Sequence, residues 1–147
     1  MQLTRAADYA ARVLVHLAGL PSGTRLTREG LAGQAGVPEH FMGKILQSLN
    51  RGGMVTSHRG VAGGYSLTKP AEAVNLLEVV EAMEGPLLLN VCLAEGPSCD
   101  RKDWCSVHSV WVEAQEALTA VLRGATIAAL ARKAEAEKQV CGGPAWS

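Results

Sequence analysis

Apolar residues recur three and four apart along most of this chain, and the breaks in that rhythm divide it into elements. Tyr9, Val13 and Leu17 stand four apart with Ala10 and Leu14 beside them, which predicts an amphipathic helix capped by Thr4. The stretch from Gly19 to Gly23, with Pro21 and Ser22, ends it. Thr27 suits the N-cap of a second, short helix with Leu31 and Ala35 on one face. Gly36 and Val37 make a tight break, and Pro38 suits the first position of a third helix. That helix has Phe41, Ile45 and Leu49 on one stripe, flanked by Met42 and Leu46. Its other face shows Glu39, His40, Gly43, Lys44, Gln47 and Ser48.

Gly52 and Gly53 stop the third helix, and the period then changes. Met54 to His58 and Gly64 to Leu67 read as two short strands, joined by the turn Arg59-Gly60-Val61-Ala62-Gly63. Asn75 followed by Glu78 is a capping box for a fourth helix, which runs through Met83 to the stop at Gly85-Pro86. Residues 90–106 form a loop that holds three of the four cysteines. A longer helix follows, with Val107, Val110, Trp111, Ala114, Leu118, Val121 and Leu122 at heptad-like offsets. Gly124 ends it, Thr126 caps a last helix, and residues 141–147 read as a loose tail. The fold class is mainly α with a small β-hairpin wing, and no internal repeat interrupts it.

Composition narrows the function. Apolar residues are 48% of the chain, enough for a core, while aromatics are only 4%, so packing rests on Leu, Val and Ala. No apolar run reaches the ~20 residues of a membrane span. The start, Met1 to Arg5, leads into a pattern containing Arg12 and His16 and is unlike a secretory leader, so the expected location is cytoplasmic. No nucleophile–base pair stands beside a phosphate or substrate loop, and the expectation is a protein that is not an enzyme.

Formal net charge is zero, yet it is unevenly placed. Residues 1–70 hold eight basic groups against three acidic ones, and residues 71–147 hold six against eleven. A front half of +5 followed by a half of −5 suits a nucleic-acid-binding head. Helix, helix, tight turn, helix and glycine-tipped hairpin describe a winged helix-turn-helix over residues 1–70, whose partner is double-stranded DNA. The exposed face of the third helix supplies Pro38, Glu39, His40, Lys44, Gln47 and Ser48 toward the major groove. Arg59 at the wing tip, unshadowed by Gly60, is placed to enter the minor groove, with Ser57 and His58 along the backbone.

The cysteine loop carries the other chemistry. Cys92, Cys99 and Cys105 are separated by six and five residues, and His108 follows three positions after the last. Reduced thiols of a cytosolic chain seldom form disulfides. Three thiolates and one further donor suit an iron–sulfur cluster, a zinc ion in a Cys₃His shell, or redox-active thiols. The fourth donor is His108, one turn into the long helix, or Asp8 on the first helix, reaching the loop by folding or across a dimer. Asp8 is equally placed to pair with Arg5 or Arg12. Cys141, in the expected tail, stands apart.

Several segments together resemble one bacterial family over about residues 1–135: Met1-Gln2-Leu3-Thr4 with Asp8-Tyr9-Ala10, Ser57 through Leu67, Lys69-Pro70, Val79 through Pro86, and the loop ending in Cys105-Ser106-Val107-His108. They are similar to the winged-helix iron–sulfur regulators of the IscR and NsrR type, the Rrf2 family. The resemblance implies a homodimeric transcription regulator, a repressor, on a roughly two-fold symmetric operator, with no membrane partner. It implies a cluster, 4Fe-4S or 2Fe-2S, held by Cys92, Cys99 and Cys105 and sensing nitric oxide, redox state or iron–sulfur status. IscR-like members complete the shell with a histidine matching His108; NsrR-like members use an aspartate of the other subunit, matching Asp8. The first cysteine gap is six here where both groups usually have five. Gly43 stands where IscR carries a glutamate. On this reading residues 71–140 form the cluster-binding loop and the dimerisation helices, and the same fold using zinc or free thiols is the alternative.

Overall fold

Side chains that receive otherwise unpaired backbone N–H groups set most of the helix starts. A computed structural model describes residues 2–97 and 99–141, with side chains to residue 138. Helix α1 (Arg5–Ala18) begins where Thr4 Oγ1 accepts the Ala7 N–H at 3.3 Å, and α2 (Arg28–Ala35) where Thr27 Oγ1 accepts that of Gly30 at 3.1 Å. Helix α3 (Glu39–Arg51) has no side-chain cap. Pro38 is its N-cap residue rather than its first helical one, a position where a ring without an N–H leaves nothing unpaired. Helix α4 (Leu76–Glu84) has the full capping box, with Asn75 and Glu78 exchanging two bonds of 3.0 Å. Helices α5 (Ser106–Gly124) and α6 (Ile127–Cys141) follow, and Thr126 Oγ1 accepts the Ala129 N–H at the start of α6. Strands β1 (Val55–His58) and β2 (Gly64–Leu67) pair antiparallel, Val55 opposite Leu67 and His58 opposite Gly64. Met54, expected in the first strand, belongs to the turn before it, because its N–H still bonds the Leu49 carbonyl of α3 at 2.9 Å.

One core gathers Val13, Leu14 and Leu17 of α1, Leu31 of α2 and Met42, Ile45, Leu46 and Leu49 of α3, closed by Val55, Val79 and Ile127. Phe41, expected on the buried stripe, packs at its edge, with its ring 5.1 Å from that of Tyr9 in an edge-on arrangement. Ile127 draws α6 back against α1, and two backbone bonds fasten it: Ile127 N–H to the Val74 carbonyl at 2.8 Å and Leu76 N–H to that of Ala125 at 2.9 Å. Cys141, expected in the tail, is the last residue of α6; residues 142–147 of that tail lie outside the described residues. A second cluster of Leu77, Val80 and Leu87 with Leu118 and Leu122 seats α5 on α4. Gln115 locks that seat, accepting the Leu89 N–H at 2.8 Å and donating to the Leu87 carbonyl at 2.6 Å. Among the described residues no helix is long and apolar enough to cross a membrane.

Candidate nucleic-acid interface and cysteine loop

Burying Met42, Ile45, Leu46 and Leu49 turns the opposite side of α3 outward. Pro38, Glu39, His40, Lys44 and Gln47 are all exposed there, and Ser48 is half-buried. Glu39, Gly43 and Gln47 follow at four-residue intervals and form one ridge.

Beside this ridge stands the wing. Arg59, Gly60, Val61 and Ala62 are exposed at its tip. Gly60 has φ +98, and a Cβ on Gly63 would come within 2.5 Å of the His58 carbonyl, so the turn depends on both glycines. The segment before α2 extends the hairpin: Leu26 and Tyr65 exchange bonds of 3.1 and 2.7 Å. Arg25 reaches the wing turn itself, its Nη1 donating to the Ala62 carbonyl at 3.4 Å. Ser57 is exposed, whereas His58 is half-buried with its Nε2 2.8 Å from Ser66 Oγ. His58 therefore braces the hairpin in addition to lying near its outer edge. Asn50 Nδ2 donates to the Val55 carbonyl at 3.2 Å and ties α3 to β1. Between α3 and the wing lies a crevice of about 210 Å³ lined by Gly43, Gln47, Asn50, Ser57 and Tyr65. The role of Arg25 had no signal in local sequence, because its bond joins segments 37 residues apart that only folding brings together.

The cysteine loop is not wholly irregular. A 3-10 turn, Val91–Leu93, carries Cys92, and Cys105 is the N-cap residue of α5. His108 sits in the first turn of α5, its N–H bonded to the Cys105 carbonyl at 3.1 Å. Its Nδ1 is 3.4 Å from Cys92 Sγ. Cys92, Cys105 and His108 are half-buried, while Cys99 is exposed; none of the three thiols is in a disulfide. Among the described residues no three donors converge closely enough to hold one metal ion. The structure thus unites Cys92 with His108 and leaves the exposed Cys99 in the loop. Asp8 pairs with Arg12 at 2.9 Å, the helical alternative its spacing allows, and its side chain is 59% exposed.

The stripe expected on α5 divides into two edges. Leu118 and Leu122 turn to α4. Val107, Val110, Trp111 and Val121 remain exposed, Val121 at 70%, so α5 presents an apolar face that nothing in this chain covers among the described residues.

A family model described as Rrf2, iron-dependent transcriptional regulator, matches residues 3–133. A Mycobacterium tuberculosis protein assigned to the HTH-type transcriptional regulators is 31% identical over 131 residues, covering 89% of this chain and 81% of the relative. The protein aau3 of Rhizobium meliloti is 36% identical over 129 residues, covering 86% and 82%. Among solved structures, CymR, the global cysteine regulator of B. subtilis, superposes with a TM-score of 0.75 at 22% identity over 90% of this chain and 98% of its own. T. potens IscR does so with a TM-score of 0.74 at 20% identity, over 94% and 91%. At those identities the likeness to the structures is one of fold, the winged-helix architecture read above.

Proposed function

Because the chain belongs to the Rrf2 family of iron-dependent transcriptional regulators, we propose that it is a homodimer whose affinity for an operator is set by an iron–sulfur cluster at the cysteine loop. Transcription regulation and DNA binding come with the family; the cluster and the dimer are supported by the site itself. The observation that carries the cluster is the approach of His108 to Cys92, a thiol and an imidazole brought together at the foot of α5 from the two ends of the loop. Soft thiolate donors with one imidazole fit iron–sulfur ligation, and Cys92, Cys99, Cys105 and His108 would hold the group, with Asp8 as the competing fourth donor. Such a cluster would supply reactivity toward nitric oxide or oxygen and would depend on iron supply for its assembly. Bringing Cys99 and Cys105 to the pair requires the loop to close on the start of α5.

The rest follows from packing. Cys105 and His108 anchor the loop to α5, Leu118 and Leu122 seat α5 on α4, and α4 packs against α1 and α3. A change in how the loop is held therefore reaches the reading helix through contiguous packed elements, biasing one arrangement of the two heads over another. The exposed face of α5 has Val107 and Val121 fourteen residues apart with the half-buried Ala114 midway, a seven-residue spacing that suits pairing with its symmetry mate on a two-fold operator. Glu39, His40, Lys44 and Gln47 then face the major groove, with Pro38 at the helix entry, and Ser57, His58, Arg59 and Gly60 form the wing contact.

Purification without oxygen tests this reading. A brown protein with broad visible absorbance, and iron and sulfide in matching amounts, supports it. A colourless protein overturns the cluster. The second reading is a zinc- or thiol-based regulator on the same fold, and its free-thiol form is favoured by the fact that two donors rather than four converge among the described residues. Zinc in the colourless protein, or DNA binding abolished by a thiol oxidant, identifies it.

A further inference from the structure

A gap in the exposed ridge of α3 is filled from a different helix. Between Glu39 and Gln47 the ridge position is Gly43, which contributes no side chain. A Cβ placed there would lie 3.5 Å from both Nη1 and Nη2 of Arg28 and 3.6 Å from its Cζ. Three nearly equal distances mean that the guanidinium faces the vacant position. Its Nη2 donates to the Glu39 carbonyl at 3.4 Å, which holds the group over the first turns of α3. Arg28 is the first residue of α2, is exposed, and forms no ion pair among the described residues.

We infer that Arg28 is a base-reading residue, standing in for the side chain that α3 lacks at Gly43. This rests on the reading of α3 as the recognition helix. Residues in the N-terminal part of such a helix meet base edges, and that is where the guanidinium is held. A guanidinium has five N–H donors, and one bond to Glu39 leaves its remaining donors available. The planar fork matches the O6 and N7 acceptors of guanine in the major groove. The small residue at position 43 is what admits the group; a long side chain there would occupy the same space.

Selection from a pool of random duplexes tests the inference, using the full-length protein as wild type, Arg28→Ala and Gly43→Leu. The wild type should enrich a two-fold symmetric sequence with a guanine in each half. Arg28→Ala should lose that guanine at one symmetric pair of positions and bind the wild-type sequence about ten- to a hundredfold more weakly. Gly43→Leu, with Arg28 intact, should show the same loss by displacing the guanidinium, and it decides the matter if Arg28→Ala folds poorly. Enrichment of an unchanged sequence by both variants overturns the inference. Unchanged affinity then makes Arg28 a strut between α2 and α3, and uniformly lower affinity makes it a phosphate contact. A wild type that enriches no sequence overturns the DNA reading of α3 itself, and the role of Arg28 falls with it.

Discussion

His108 Nδ1 lies 3.4 Å from Cys92 Sγ although the two residues are sixteen apart in the chain. The contact joins a short 3-10 turn to the first turn of α5 and so closes the two ends of the cysteine loop on each other. Neither residue is deeply buried, so the pair is open to a ligand that bridges them. Asp8, the rival fourth donor, is engaged instead by Arg12.

This arrangement predicts that His108→Ala or Cys92→Ser removes most of the visible absorbance of the anaerobic protein, while Asp8→Ala retains it. Spectra of the three variants with iron counts provide the check. Bleaching by Asp8→Ala with His108→Ala unaffected reverses the ligand assignment.

The uncovered face of α5 predicts a dimer that one charge can break. Burying a valine side chain contributes about 1.5 kcal/mol, and a two-fold interface uses each residue twice. Val121→Lys should therefore weaken dimerisation by about a hundredfold or more, because it removes that burial and adds a charge to desolvate. Sedimentation equilibrium reads the change directly. A wild type that sediments as a monomer at every concentration rules out the α5 interface.

Arg59 is exposed at the tip of a turn that requires Gly60 and Gly63. Arg59→Ala should weaken operator binding about tenfold or more and reduce the salt dependence of the binding constant by about two ions, one from each subunit, leaving the dimer intact. Anisotropy titrations over a range of salt concentrations measure both. Equal affinity with and without the arginine removes the wing from the interface.

Two glycines with positive φ should respond differently to a methyl group. Gly64 has φ +136, and a Cβ there would meet the Leu26 carbonyl at 2.6 Å, beside the bridge between Leu26 and Tyr65. Gly53 has φ +72 with open space around it. Gly64→Ala should cost about 3 kcal/mol or more and Gly53→Ala about 1 kcal/mol. Urea unfolding midpoints compare them, and equal costs would show that the segment at Leu26 yields to the intruding group.

Local signals were sufficient for most element boundaries. Thr4, Thr27, Asn75 and Thr126 each cap the helix their position predicts, since a cap depends on groups within three residues. The errors are small and share a cause. Met54 reads as strand by type but is retained by the last turn of α3, and Phe41 reads as core but is displaced to its edge by Met42. Which of two adjacent apolar residues points inward depends on what the helix packs against.

The candidate sites divide in the same way. Spacing along the chain suffices for the caps, the breaks, the outward face of α3 and the presence of three thiols with a histidine one turn into α5. These rest on short-range spacing, which the backbone period converts directly into geometry. Packing, by contrast, is what brings Cys92 to His108, turns Leu118 and Leu122 to α4 while Val121 stays exposed, returns α6 to α1 and lays Arg28 over Gly43. Those relationships join residues distant in the chain, and their geometry is set by how helices pack, which no local pattern encodes.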